Sequence, residues 1–213
     1  MSESERPPTP SAPAVVGVLG GVASGKSLVA RLLAGAEGRV LCADALAREA
    51  LESPAVVSRI REAFGEGVLD GSGRPDREAL AALVFADPEA RRRLEGWTHP
   101  AVRARILEGL AEARAAGIPL VVLDVPLLLE NDAQHGLVSQ CTALVFVDVS
   151  DAERDRRARD ERRWKPGEVA RREAAQLPLS EKRKRADFVI RNEGSEEQLE
   201  RAVRAVRERI GAA

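Results

Sequence analysis

An α/β fold, with a five-stranded parallel sheet flanked by helices, is what this sequence predicts, and three observations predict it. Short β-rich runs alternate with long helical ones, the pattern of a parallel sheet covered on its faces. Five such runs fall at 15–19, 39–42, 120–124, 143–148 and 188–190. The first leads into Gly20-Gly21-Val22-Ala23-Ser24-Gly25-Lys26-Ser27, a G-x-x-x-x-G-K-S loop that opens directly into the helical run Leu28-Val29-Ala30-Arg31-Leu32-Leu33.

Strand, glycine loop and helix in that order is the setting in which this motif binds phosphate. Glycines let the backbone curl so that successive N–H groups point inward, and the helix start adds its positive end. Gly21, Val22, Ala23, Ser24, Gly25, Lys26, Ser27 and Leu28 are thus expected to cradle a nucleoside triphosphate. Lys26 would reach its β- and γ-phosphates, and Ser27 would offer a hydroxyl to Mg²⁺. The chain has no Asn-Lys-x-Asp sequence of the kind that reads guanine, which favours ATP over GTP.

The remaining elements follow in order. Residues 1–13 are rich in Pro, Ser and Glu and read as a disordered tail. After the second strand comes Asp44, with two readings open: a carboxylate that orients an acceptor hydroxyl and takes its proton, or a cap for a helix starting at Ala45. Residues 53–117 read almost wholly helical, longer than a crossover needs, and so as an inserted lobe. Its clearest turn is Asp70-Gly71-Ser72-Gly73-Arg74-Pro75, and Pro100 is expected to kink or interrupt the helix that begins near Asp87.

Asp124 ends the third strand, either holding Mg²⁺ through water or bonded to local backbone. The loop Val125-Pro126-Leu127-Leu128-Leu129-Glu130-Asn131 is unusually apolar, a core plug or a wall for an apolar part of an acceptor. Residues 150–185 form a second helical insertion. Glu153 with Arg157 and Asp155 with Arg159 have i,i+4 spacing, which suits a solvated helix, while a phosphate loop upstream makes one or two of these arginines candidates for a closing lid. A closing amphipathic helix is expected at 196–210.

Composition excludes several classes. The chain has 213 residues, a formal net charge of −1 and no Tyr, so neither a broad basic face nor base stacking supports nucleic-acid binding. Cys42 and Cys141 are the only cysteines, which fits a reducing compartment rather than a disulfide framework. His99 and His135 lack metal-ligand spacing, and His99 is expected in a packing or hydrogen-bonding role. No run is long enough to span a bilayer and no signal-peptide core precedes the first strand, so the expectation is a cytoplasmic protein with no membrane partner.

Several separate motifs, in order, resemble the dephospho-coenzyme A kinase family from Val15 to about Ile210. They are the phosphate loop and Cys42-Ala43-Asp44-Ala45-Leu46-Ala47-Arg48. Phe64-Gly65, Leu69-Asp70, Asp76-Arg77, Val84-Phe85 and His99-Pro100 follow. Then come Pro126-Leu127-Leu128-Leu129-Glu130, Gln176, Lys182, Ala186-Asp187 and Asn192-Glu193-Gly194. The resemblance implies ATP-dependent phosphorylation of the ribose 3′-hydroxyl of dephospho-coenzyme A, with Mg²⁺. It implies a P-loop core at about 14–52, 118–149 and 186–213, an acceptor lobe at 53–117 and a lid at 150–185, all in one kinase domain from 14 to 213, and a monomer. Asp44 takes the family's base position, Lys26 and Ser27 keep their phosphate and Mg²⁺ roles, and Pro126, Leu127 and Leu128 line the acceptor site. Arg157 is the best match to a lid arginine, with Arg156 or Arg159 as substitutes, and Asn192 and Gly194 lie near the adenine. Three departures stand out: Cys42 replaces an aspartate, Leu28 a threonine and Arg191 an acidic residue. Losing the threonine hydroxyl should cost about 1 kcal/mol of ATP binding.

Overall fold

The computed structural model describes residues 12–211. The expected tail thus lies, apart from Ala12 and Pro13, outside the described residues. Among those described, the chain divides into two compact units, one of residues 12–41 with 110–211 and one of residues 42–109.

The first unit holds the sheet. Strand β1 (Ala14–Gly20), β2 (Arg39–Cys42, its last residue counted in the second unit), β3 (Leu120–Asp124), β4 (Ala143–Asp148) and β5 (Phe188–Arg191) stand in the order β2-β3-β1-β4-β5. Strand β1 runs parallel to β3 and to β4, and β4 parallel to β5, giving the expected five-stranded parallel sheet. Central strands covered on both faces must be apolar throughout. β3 is buried at every position and β1 at all but its first.

Helix α1 (Lys26–Ala34) and the last helix, α10 (Glu196–Ile210), cover one face. Val29 and Leu33 of α1 and Leu199, Val203 and Val206 of α10 pack with Val16, Val18, Val122, Val145 and Val147 of the sheet. α10 starts where the sequence predicts because Ser195 and Gln198 form a reciprocal capping box. Between β4 and β5 lie α7 (Asp151–Arg162), α8 (Glu168–Glu173) and α9 (Leu179–Arg185); a short α6 (Asp132–His135) follows the β3 loop.

The second unit is helical: α2 (Ala43–Glu52), α3 (Pro54–Phe64), a 3-10 turn (Glu66–Val68), α4 (Arg77–Ala86) and most of α5 (Pro88–Ala115). Val56, Ile60, Val68 and Leu80 form its core, flanked by Phe64 and Trp97, whose ring centroids are 5.5 Å apart. The 70–75 turn is closed by the Asp70 carboxylate, which accepts from the Ser72 and Arg74 N–H groups at 2.8 and 2.9 Å. Asp76 then caps α4.

Neither the interruption expected at Pro100 nor the packed or hydrogen-bonded His99 is found among the described residues. α5 continues through Pro100 as one helix. Proline removes one donor and crowds the carbonyl four residues back, which belongs to Gly96; both residues are exposed, so solvent takes up that carbonyl and no packed neighbour resists the ring. His99 is also exposed rather than packed, because it lies on that same outward face.

Candidate functional site

The loop between β1 and α1 is held in a shape that extended chain does not adopt. Ala23 has φ 58° and Gly25 φ 81°, both left-handed. Glycine takes that conformation freely; alanine pays about 1–2 kcal/mol for it. Gly25 is required twice over, since a Cβ there would also strike the Asn192 side-chain amide. Past it, the N–H groups of Gly25, Lys26 and Ser27 have no hydrogen-bond acceptor among the described residues. These are the orphan donors of a helix start, aimed where an anion is received.

Lys26 folds back over the loop, its Nζ donating to the carbonyls of Gly20 at 3.3 Å and Gly21 at 2.7 Å. Its pKa is lowered from 10.5 to about 8, first by burial and then by the nearby Lys182 ammonium; Asp124 and Glu173 oppose the shift, and Arg162 adds to it. The half-buried amine thus has two cations, Lys182 and Arg162, and two carboxylates, Asp124 and Glu173, in its surroundings.

Asp124, at the end of β3, is 7% exposed and makes no hydrogen bond among the described residues. The local-backbone reading is therefore removed. Ser27 is exposed in the first turn of α1. Beyond β3, Leu128 is 1% exposed and in contact range of Gly17, so it belongs to the core, while Pro126 and Leu127 face outward. Leu127 is held at φ 57°, a strained setting for leucine of the sort found at ligand sites. The core-plug reading holds for Leu128, while Pro126 and Leu127 lie outside the core.

Asp44 lies in the first turn of α2, exposed and without a side-chain partner. The helix begins at Ala43, a residue pair earlier than the capping reading needs, and Cys42 occupies the cap position without a side-chain cap bond. Asp44 is not a cap. It belongs to the second unit, whereas the other expected site residues belong to the first.

Of the three arginines considered for a lid, Arg157 alone is turned to the phosphate loop. Its Nη2 donates to the Asn192 carbonyl at 2.6 Å and its Nε to Glu153 at 2.8 Å. Arg156 is exposed between Glu153 and Asp160, and Arg159 bonds the Asp155 backbone carbonyl rather than its carboxylate. Asn192 is buried, and its Nδ2 donates to the Ser24 carbonyl at 2.9 Å, so its amide braces the loop.

Four participants have no site role in the sequence reading, although Lys182 stands there among the family motifs. Glu173 accepts from the Val22 N–H at 2.7 Å, and Arg154 contacts both Glu173 and the Val22 carbonyl. Arg162 reaches the surroundings of Lys26, with Trp164 stacked between Arg162 and Arg172 at 5.1 and 4.1 Å. Lys182, 4% exposed, pairs with Glu130 at 2.7 Å and Gln176 at 2.9 Å. For Lys182 a signal existed in its order with Glu130 and Gln176 among those motifs.

A glycine loop with free amides and a half-buried lysine, at the carboxyl edge of a parallel sheet, defines a P-loop nucleotide-binding protein of the kinase type. Residues 14–198 match the family model described as dephospho-CoA kinase. The chain is 47% identical to the dephospho-CoA kinase of Anaeromyxobacter dehalogenans, over 87% of this chain and 86% of that one. It is 42% identical to that of Geobacter sulfurreducens, over 90% and 96%. A solved Thermus thermophilus structure superposes with TM-score 0.74 at 41% identity, covering 93% of this chain and 98% of that one. A dephospho-CoA kinase structure from Campylobacter jejuni, 22% identical with TM-score 0.69 over 94% and 98%, shares the fold. The chain belongs to the dephospho-CoA kinase family.

Proposed function

We infer that this protein transfers the γ-phosphoryl group of ATP to the ribose 3′-hydroxyl of dephospho-coenzyme A, the last step of coenzyme A synthesis. The observation that carries the reading is the phosphate loop itself, with its free amides and a lysine whose charge awaits a phosphate. In this reading Lys26 and the amides from Gly25 to Ser27 hold the triphosphate, and Arg157 supports the loop from the lid side. Asp44 orients the acceptor hydroxyl and takes its proton; its exposure and lack of a partner support that role. Pro126 and Leu127 offer the apolar wall for the acceptor, with Leu128 anchoring them from the core.

Among the described residues no group of three or more His, Cys, Asp and Glu can hold a metal ion. Mg²⁺ in a kinase takes only one or two protein ligands beside phosphate and water, and an unbonded Asp124 carboxylate with the exposed Ser27 hydroxyl fits that need. Bound there with ATP, Mg²⁺ would neutralise charge on the transferring phosphoryl group. The proposal also includes a cytoplasmic monomer. No helix among the described residues is long and apolar enough to cross a membrane.

The test is ADP release from Mg²⁺-ATP with and without dephospho-coenzyme A, with product mass measured. Acceptor-dependent ADP and a product heavier by one phosphoryl group are expected; release indifferent to the acceptor overturns the reading. A second result follows from Lys26. Phosphate against Nζ favours the ammonium, so its pKa of about 8 rises when ATP binds. Binding should therefore take up a proton near pH 8.5 and almost none near pH 6.5, measured by titration calorimetry in buffers of differing ionisation enthalpy. Equal proton uptake at both pH values would remove Lys26 from the phosphate site.

A further inference from the structure

One ion pair grips both backbone polar groups of a single residue, Val22, in the phosphate loop. Arg154, on α7, is 2% exposed. Its Nη1 donates to Glu173, on α8, and at 3.4 Å to the Val22 carbonyl; its Nη2 donates to Asp151 at 2.6 Å. The Glu173 carboxylate in turn accepts from the Val22 N–H at 2.7 Å. Gly21 leaves the room for this approach, since a Cβ there would meet Arg154 Nη1 at 2.6 Å and Glu173 Oε1 at 2.7 Å. Immediately after the gripped residue comes Ala23, a non-glycine residue held left-handed.

We propose that Glu173 is a positioning residue for ATP: with Arg154 it clamps Val22 and so keeps the phosphate loop in its receiving shape. The inference rests on the reading of that loop as the ATP site. Three physical points carry it. A left-handed alanine relaxes unless its neighbours over-determine it, and the clamp sits on the adjoining residue. Charge-assisted bonds inside a poorly hydrated site are the strong ones, and here two of them converge on Glu173. Finally, the Val22 N–H is not among the free amides from Gly25 to Ser27, so the carboxylate braces the loop without filling the place phosphate would take.

The clamp is also a charge beside the phosphates. If repulsion were its main effect, removing Glu173 would tighten ATP binding; if positioning is, removal weakens it. The sign of the change decides.

The experiment compares wild type, Glu173→Gln, Glu173→Ala and Glu173→Ala combined with Ala23→Gly. Mg²⁺-ATP affinity is read by calorimetry, with KM for each substrate, kcat and thermal midpoint alongside. Glu173→Ala is expected to weaken ATP binding about tenfold while KM for dephospho-coenzyme A moves less than about twofold. Glu173→Gln should fall between, because its amide oxygen still accepts from Val22 but pairs less strongly with Arg154. Ala23→Gly should recover part of the loss, since glycine adopts the left-handed shape without the clamp. Unchanged or tighter ATP binding in Glu173→Ala overturns the proposal. So does an equal rise in both KM values with a lowered thermal midpoint, the mark of a merely structural role. Because ATP affinity is read directly, a wild type that binds ATP yet ignores dephospho-coenzyme A would defeat the acceptor assignment and leave this test intact.

Discussion

Lys26→Ala abolishes measurable phosphoryl transfer, a fall of about 10²–10³-fold or more, without unfolding the protein. In the proposed mechanism the ammonium is the positive charge that meets negative charge developing on the leaving oxygens. Its present bonds to the Gly20 and Gly21 carbonyls hold it in waiting and are not a structural keystone. The stability side has a definite sign. The folded pKa of about 8 lies below the ordinary 10.5, so the fold disfavours the charged amine. That cost is present in full below pH 8 and fades as pH rises towards 10.5. At neutral pH the variant is relieved of it, and its thermal midpoint should not fall. Lys26→Arg is not expected to rescue turnover, because a planar guanidinium is bulkier than the ammonium that two loop carbonyls now enclose. Turnover unchanged in Lys26→Ala would end the phosphate-loop reading.

Asp44→Asn should lower kcat by roughly 10²-fold while leaving ATP affinity almost as it was. Asparagine keeps the size and the hydrogen-bonding oxygen but cannot take a proton, so the loss isolates base function from positioning. The structure makes this a clean substitution. Asp44 caps nothing, bonds nothing among the described residues and is exposed, so losing its charge removes only the weak attraction of the α2 N-terminus, about 0.3–1 kcal/mol. Kinetics with dephospho-coenzyme A, calorimetry with ATP and the pH profile of kcat settle it. Full activity with an unaltered profile would strip Asp44 of its role and leave the acceptor hydroxyl without an assigned base.

What was legible in the sequence and what was not divides along one physical line. β1, β3 and β4 are contiguous apolar runs buried on both faces, and their bounds could be read almost to the residue. The phosphate loop is contiguous too, so its glycines, Lys26 and Ser27 stand out by spacing. The groups that brace it are contributed from far along the chain. Glu173 is 151 residues from Val22, Arg154 is 132 from it, and Asn192 is 168 from Ser24. Arg154 and Glu173 sit among many charged neighbours on α7 and α8, where composition reads as a solvated surface. Most of those neighbours are indeed exposed pairs, such as Arg171 with Glu168. Only tertiary structure separates the buried arginine from its exposed siblings. Pro100 misled for a related reason, since a proline's effect depends on whether its face of the helix is packed or wet.

The bracing of the loop by Asn192 also bears on the order in which a growing chain becomes an enzyme. The loop ends at residue 28 and is made well before the groups that hold Val22 and Ser24, which belong to residues 154, 173 and 192. Each of those contacts closes a very long stretch of chain, the slow kind of event in folding. During synthesis the nascent chain therefore carries a glycine loop with nothing to shape it until β5 has been made. The loop's receiving shape waits for residues 154 to 192, long after the loop itself has left the ribosome's catalytic centre.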